Sequence, residues 1–413
     1  MISSAALLNK KISLFPPLQR GDERISRSRF FFGAASMLVV ALLFLPVVAG
    51  GEEVGRDGPK ANKGRNRIVV YPIENLTGAA APIKEIRKMC IEKLKAHGVD
   101  VLEEELLEQL MAKYRVRYTG GINREIAKAL KQDVDVEGVL INSLEFYSDA
   151  NPPKISLISR LVSTGEDPSI LWMDGVGLAG DDSPGILDLG LIEDPNLLMD
   201  KALKTIMNSL MRYLSGGPEG RAGQSAKKKF NPKIFYRSPV LEFNRKYTVA
   251  IAPFFSISDR KYVGEIMGLH FARELKRTGN FNVIEPGIVR QVFLELRIVM
   301  EQGVSLANAE LIFGMLNADL VVSGEVIDYE DYQGIWGKPK VSFSAQLIER
   351  RTREVMWSSH SYNEGDDGVF FFDRGRVNTA SAMTSQMIQA IGRMMFEDSK
   401  RGQGVAGSRT RVK

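Results

Sequence analysis

The chain has 413 residues, of which 44% are apolar and 25% are charged, and its formal net charge is +5. This composition is typical of a globular protein and excludes both a disordered chain and one with many membrane spans. The length exceeds one ordinary core of about 150 residues, so we expect two or three folded units. The small net charge gives no indication of nucleic-acid binding.

An uncharged stretch lies near the amino terminus, at residues 30–49, and it follows Arg24, Arg27 and Arg29. It is long enough to cross a bilayer, and its cations stand on the side that stays in the cytoplasm. Its small final residues also fit a signal-peptidase site. The stretch is therefore either a cleaved export signal after a cytoplasmic segment (residues 1–29) or a retained membrane anchor. Both alternatives predict that the rest of the chain lies in the periplasm.

A polar, glycine-bearing segment at residues 50–66 comes next, and its lack of apolar periodicity predicts a flexible tether. The only cysteine of the sequence is Cys90, so the chain forms no intrachain disulfide. Cys90 lies on a predicted helix, and a single thiol on an apolar helical face is typically a small core residue.

Residues 67–215 are predicted to form a first folded unit. Its opening strand, IVVY at residues 68–71, is β-branched and lacks polar alternation, as expected for a strand covered on both faces. The pattern then predicts a helix, a short strand, two helices, three strands and a closing helix, at residues 83–97, 99–103, 104–114, 123–131, 137–147, 154–162, 169–176 and 197–214.

Residues 247–398 repeat this order element by element. The strand VAIAPFF stands in the place of IVVY, and KVSFSAQLIE at residues 340–349 matches KISLISRLVS at residues 154–163 in spacing. Trp357 takes the place of Trp172 in the last strand. Because chance apolar patterning does not recur over every element, we predict two tandem copies of an α+β unit, each with a mixed β-sheet covered by helices.

The segment between the copies, residues 216–246, has the glycine, serine and lysine content of a linker, and we place the boundary near residue 225. Its later part, IFYRSPVLEF at residues 234–243, is apolar enough to pack on a domain. Residues 399–413 form a basic tail, which is typical of a solvated chain end.

The sequence carries no catalytic signature. GVGLAG, at residues 175–180, has the glycine spacing of a dinucleotide loop, but two carboxylates follow it where a phosphate would lie. The three histidines, His97, His270 and His360, lack a second ligand at helical or hairpin spacing. We therefore expect neither enzyme activity nor a cofactor or metal.

Two groups of aromatic residues are the candidates for a partner-binding site, one at a glycine-rich hairpin tip and one before the last helix. Aromatic side chains exposed at such places can anchor another protein, but they also fold back on their own sheet or cover its edge. The residues are Tyr329, Tyr332 and Trp336 at the tip, and Phe370, Phe371 and Phe372 before the helix.

One stretch of the second unit resembles a known family. It reads VAIAPFFSISDRKYVGEIMGLHFARELKRTGNFNVIE at residues 249–285, and ADLVVSGEV follows at residues 318–326. This pattern is similar to the amino-terminal domain of TolB, to the curli-secretion lipoprotein and to the outer-membrane lipoprotein activators of penicillin-binding proteins. The resemblance covers most of residues 247–397 and, more weakly, residues 67–214.

The resemblance implies an envelope protein that binds other proteins. The lipoproteins carry a lipidated cysteine after the signal, whereas Gly50 and Gly51 stand there in this chain. We expect a non-enzymatic periplasmic protein that docks on a machine for cell-wall synthesis or for secretion across the outer membrane. One alternative is an oligomeric structural subunit that self-associates through sheet edges, and another is a small-ligand receptor or enzyme.

Overall fold

A computed structural model of the chain describes residues 67–182, 190–217, 228–241, 245–298, 304–334, 337–369 and 375–396. The predicted export signal or anchor, the tether and the basic tail lie outside these residues. The described residues form two halves that follow one another along the chain.

The first half begins with strand β1 (Ile68–Val70) and ends with helix α4 (Pro195–Leu214). The side chain of Asn123 accepts a hydrogen bond from the Ile126 amide, and that of Asp194 accepts one from the Asn196 amide, so polar caps begin α3 and α4. The elements between the first strand and the last helix are β2 (Glu74–Asn75), α1 (Ile83–Ala96), α2 (Glu104–Lys113), α3 (Arg124–Val134), β3 (Gly138–Ser148), β4 (Lys154–Ser163) and β5 (Ile170–Ala179).

The second half is preceded by a 3₁₀ turn at Lys228–Phe230 and ends with helix α8 (Ala380–Phe396). Its strands are β6 (Ile234–Arg237), β7 (Tyr247–Ile251), β8 (Phe255–Ser256), β9 (Phe281–Val283), β10 (Leu320–Glu330), β11 (Lys340–Glu349) and β12 (Val355–Glu364). Its other helices are α5 (Val263–Arg277), α6 (Pro286–Glu295) and α7 (Leu306–Leu316).

Each half contains a mixed sheet with the same central connections. The first sheet has the order β1, β3, β4, β5, and the second has β7, β10, β11, β12 in the corresponding places, with β9 and β6 added at its edges. The first two strands of each series are parallel and the later pairs are antiparallel. Bulges interrupt corresponding strands after Leu144 and after Val326. The predicted α+β fold with mixed sheets is confirmed.

Helices cover both faces of the first sheet. Leu140 and Trp172 point to one face and belong to the core that contains α1 and α4, whereas Val139 and Ile141 point to the other, with α2 and α3. Strands that are buried on both faces need no polar alternation, which explains the continuous apolar run of β1.

Helices α5 and α8 lie between the two sheets. On one side they pack against the second sheet, where the rings of Phe271 and Phe343 meet edge to face at 5.9 Å. On the other side they contact β5, and Ile158 and Met173 of the first half belong to the same hydrophobic cluster. We call this contact of β4 and β5 with α5, α8 and the start of α6 the seam.

Glycines in β5 let the helices of the second half approach the first sheet. A Cβ atom at Gly175 would overlap the Arg273 guanidinium, and one at Gly177 would lie 2.7 Å from Thr379 Oγ1. In β12 the positions that correspond to Gly175 and Gly177 hold His360 and Tyr362. The side chains of these residues prevent a helix from approaching the second sheet as closely at this point. The GVGLAG motif is therefore a packing surface of the seam.

A buried ion pair crosses the seam. Arg160 donates from Nε to Glu285 Oε2 at 3.1 Å and from Nη2 to Glu285 Oε1 at 3.0 Å, and both side chains are fully buried. Arg160 Nη2 also donates to the Gly120 carbonyl, and Glu285 caps α6 through the Gly287 amide. Since an unpaired charge would be costly at this buried position, the pair ties the two halves to one relative position.

Two predicted elements differ from the structure. Residues 99–103, predicted as a strand, make only an isolated bridge from Val101 to Ile68. Residues 234–237, predicted to lie within the linker, form the edge strand β6, because the second sheet offers the edge of β12 as a partner.

Candidate functional site

Four large apolar side chains are exposed within one short segment at the edge of the second sheet. Ile234 is 70% exposed, Tyr236 54%, Val240 53% and Phe235 48%. Single exposed apolar residues are ordinary, but adjacent ones on a protein surface are typical of interaction sites. We call residues 232–240 the β6 edge.

The backbone of the β6 edge is open on one side. Strand β6 pairs antiparallel with β12, with Ile234 opposite His360 and Tyr236 opposite Ser358, and no further strand in the described residues pairs with it. The Ser238 amide continues this pairing by donating to the Met356 carbonyl. Because alternate residues of an antiparallel strand face the neighbouring strand, the N–H and C=O groups of Phe235 face the open side.

The fold holds the β6 edge in place from both ends. Phe230 and Leu241 flank it in sequence and are buried in the core of the second half. The Phe235 ring stacks on Trp357 with 5.5 Å between the ring centroids. Pro232 and Pro239 limit the length over which another strand can pair, since proline has no amide hydrogen to donate. The edge is therefore short and preformed.

The predicted aromatic residues at the hairpin tip have different surroundings. Tyr329 is 2% exposed and belongs to the core of the second half, because its side chain lies on the inward face of β10. Tyr332 is half-buried against the first half, where Lys154 Nζ lies 3.0 Å from its ring centroid. Trp336 and Phe370–Phe372 lie outside the described residues. Tyr329 thus presents no surface to a partner, and contact through Tyr332 stays a prediction.

A buried polar chain at the seam has the residue types of a hydrolase triad. Glu145 Oε1 lies 3.2 Å from His270 Nε2, and His270 Nδ1 lies 3.1 Å from Ser385 Oγ. Burial disfavours ionisation of Glu145, but His270, followed by Ser381 and Arg273, outweighs it and holds the pKa of Glu145 below its usual value. Ser385 Oγ donates to the Ser381 carbonyl within α8, and both Glu145 and His270 are buried. Ser385 is half-buried, and its hydroxyl contacts both α5 and the backbone of α8, so this polar cluster joins the two halves.

The histidines do not converge. His97 follows the last turn of α1, His270 is buried in α5, and His360 lies on β12. Across the described ranges, no group of three or more histidine, cysteine, aspartate or glutamate side chains is arranged to hold a metal ion. None of the helices in these ranges combines the length and apolar character that a membrane span requires.

No protein-family model matches this chain, and no curated protein matches it. Several solved structures are similar to part of it. The PelC dodecamer subunit from Paraburkholderia phytofirmans is 17% identical, with a TM-score of 0.26, over 38% of this chain and 96% of its own. Lipoprotein GNA1162 from Neisseria meningitidis is 19% identical, with a TM-score of 0.25, over 35% of this chain and 99% of its own.

The LpoB C-terminal domain from Escherichia coli is also similar, at 14% identity and a TM-score of 0.22, over 28% of this chain and 82% of its own. Each of these alignments thus covers most of the other protein but less than half of this chain. At these identities and TM-scores the likenesses assign neither a family nor an activity.

Proposed function

We propose that the chain is a non-enzymatic protein of the cell envelope that binds other proteins, with the β6 edge as its docking surface. The exposed edge strand is the observation that carries this proposal. An extended segment of a partner can pair with the open backbone of Phe235, while Ile234 and Tyr236 contact its side chains. Addition of a strand to a sheet edge is a common mode of peptide recognition.

The charge of the edge defines the chemistry of the partner segment. Lys233 is exposed directly before the strand, so apolar residues combined with an acidic one suit the partner segment. The uncharged stretch at residues 30–49 supports export to the periplasm or attachment to its membrane. In that compartment the partner is a component of an envelope machine, for cell-wall synthesis or for secretion.

A second candidate is self-association through the same edge. An antiparallel strand pairs with its own copy about a two-fold axis, so the β6 edges of two chains can join. A stable interface buries about 800 Å² on each partner, and four strand residues supply only part of this area. A dimer through this edge alone is therefore weak, which favours a different protein over a second copy of this chain as the partner.

We also propose that the two halves are copies of one unit, as the sequence pattern predicts. The support is the common order of elements, the parallel pairing of β1 with β3 and of β7 with β10, and the bulges at corresponding places. The copies then have different roles. The sheet of the first half packs on α5 and α8, and the sheet of the second half carries the β6 edge.

Site-specific photo-crosslinking in intact cells tests the docking surface. A photoreactive amino acid replaces Tyr236, and a matched control replaces Leu197, which is 57% exposed on α4. We expect adducts with an envelope protein at position 236 that are missing at position 197, with mass spectrometry locating the contact in an extended segment of that protein. Adducts of the chain with itself alone would support the second candidate, and equal adducts at both positions would refute the docking surface.

A further inference from the structure

The two halves together form a groove that neither half has alone. It lies between the loop at residues 114–123, after α2, and helix α6, and its volume is about 230 Å³. The first half contributes Arg115 and Arg117, and the second contributes Arg290 and Leu294. We call this concavity the seam groove.

The seam groove is positively charged. Its lining holds three arginines and a single carboxylate, that of Glu125. Arg115, Arg117 and Arg290 are exposed, and neither Arg115 nor Arg117 forms an ion pair within the described residues. Arg290 lies over the ring of Tyr118, 4.4 Å from its centroid, which holds this guanidinium at the groove wall. Guanidinium groups bind carboxylates through paired hydrogen bonds, so the groove suits an acidic ligand.

The amino terminus of helix α3 adds to this charge, and that of α6 lies beside it. Helix α3 begins at its cap Asn123, which lines the groove, and α6 begins at its cap Glu285, two residues before the groove residue Gly287. The two starts meet, because a Cβ atom at Gly121 would lie 2.7 Å from Gly287 Cα. Since the amino terminus of a helix carries a partial positive charge, α3 favours an anion here, whereas the Glu285 carboxylate already occupies the amino terminus of α6.

A smaller cavity of about 70 Å³ adjoins the groove and shares Tyr118 and Arg290 with it. Two carboxylates also line this cavity, those of Glu74 and Glu265, and they repel a second acidic group. The cavity is therefore suited to a neutral, apolar side chain beside the acidic residues in the groove. Its apolar walls are Ile251, Pro253, Leu269, Pro286 and Val289.

We propose that the seam groove binds an extended acidic segment of a partner protein. Its carboxylates contact Arg115, Arg117 and Arg290, and one apolar side chain enters the adjoining cavity. This inference rests on the proposed function as a protein-binding module, and it adds a second contact with its own ligand chemistry. Because both halves line the groove, the contact exists only while the seam is intact.

Peptide binding to the purified chain tests the groove. The probes are a fluorescent peptide of alternating glutamate and leucine and the same peptide with glutamine for glutamate. We expect the glutamate peptide alone to bind, with a Kd that rises about tenfold or more in the Arg117→Glu/Arg290→Glu variant. The matched control is Arg124→Glu, since Arg124 is an exposed arginine next to the cap of α3 that does not line the groove. This control should leave the Kd unchanged.

Three results would overturn the proposal. They are no binding of the glutamate peptide, equal binding by the wild type and the double variant, and displacement of the peptide by phosphatidylglycerol vesicles or by inorganic phosphate. The last result would assign the groove to a lipid headgroup or to free phosphate, depending on which competitor acts. A thermal melt checks that the double variant folds, and Arg115→Ala replaces it if it does not. The photo-crosslink at position 236 does not involve the groove, so the two proposals can fail separately.

Discussion

Removal of one partner from the Arg160–Glu285 pair should destabilise the whole folded part of the chain. Both side chains are fully buried, and Arg160 makes hydrogen bonds to both carboxylate oxygens and to the Gly120 carbonyl. In Arg160→Met the carboxylate of Glu285 keeps only the Gly287 amide as a partner among these groups. Loss of one member of a buried pair costs about 3–5 kcal/mol, because the other charge stays buried without compensation.

Thermal and urea unfolding of the full chain measure this cost. We expect a loss of about 3–5 kcal/mol for Arg160→Met, which corresponds to a fall in Tm of roughly 5–8 °C for a folded unit of this size. Arg160→Met/Glu285→Gln should cost less than the sum of the two single changes, since it removes both charges and leaves an acceptor at the cap of α6.

The matched control is Arg124→Met. Arg124 lies 3.6 Å from Asp167, and the two side chains are 51% and 87% exposed. An exposed pair of this kind contributes about 1 kcal/mol or less. The result would contradict this account if Arg160→Met lost no more unfolding free energy than Arg124→Met. The same holds if the loss in the double variant equalled the sum of the losses in the two single variants, because the seam would then not depend on the buried pair.

Three further predictions concern the seam and the core. Gly177→Val should cost about 1–3 kcal/mol in chemical denaturation, because the new side chain meets Thr379, whereas Gly314→Ala, with no atom near its Cβ position, should be neutral or stabilising. Burial raises the pKa of Asp331 to about 6. The folded state therefore binds this proton more tightly than the unfolded chain, and stability falls as the pH rises from about 4 to about 6. Asp331→Asn should reduce the dependence of the unfolding free energy on pH in this range and raise that free energy at neutral pH by on the order of 3 kcal/mol. An unchanged pH dependence would show that Asp331 is not the group responsible. Burial also raises the pKa of Cys90 to about 12, so an alkylating reagent should modify Cys90 only after denaturation, as mass spectrometry can establish.

Much of the fold could be predicted from local pattern. Strand β11 has the predicted bounds, and helix α1 begins where predicted and ends within one residue of the prediction, because apolar spacing, a glycine or a turn signal marks the ends of each element. Strands β2 and β8 were not predicted, since each has two residues and depends on pairing with a long strand rather than on periodicity. For a similar reason the sequence predicts a linker at strand β6, although the apolar character of the strand is visible in the sequence.

The candidate sites depend on contacts between distant residues, which local pattern does not contain. The glycines of GVGLAG have a spacing that nucleotide loops also use, and only the position of α5 and α8 identifies them as a packing surface. Arg117 and Arg290 are 173 positions apart, and the seam alone brings them to one groove. For the β6 edge a usable signal did exist, because an apolar run bounded by Pro232 and Pro239 is typical of a short edge strand.

The most direct test of the docking surface compares two substitutions at Phe235, measured as recovery of the crosslinked partner from intact cells. Phe235→Ala removes the ring but keeps the outward N–H group, whereas Phe235→Pro removes both and leaves the pairing of Ile234 and Tyr236 with β12 in place. If a partner segment adds to the β6 edge, the proline variant should lose the partner while the alanine variant keeps most of it. Equal recovery with both variants, each folded by its thermal melt, would show that no strand pairs with this edge and would contradict the proposed function.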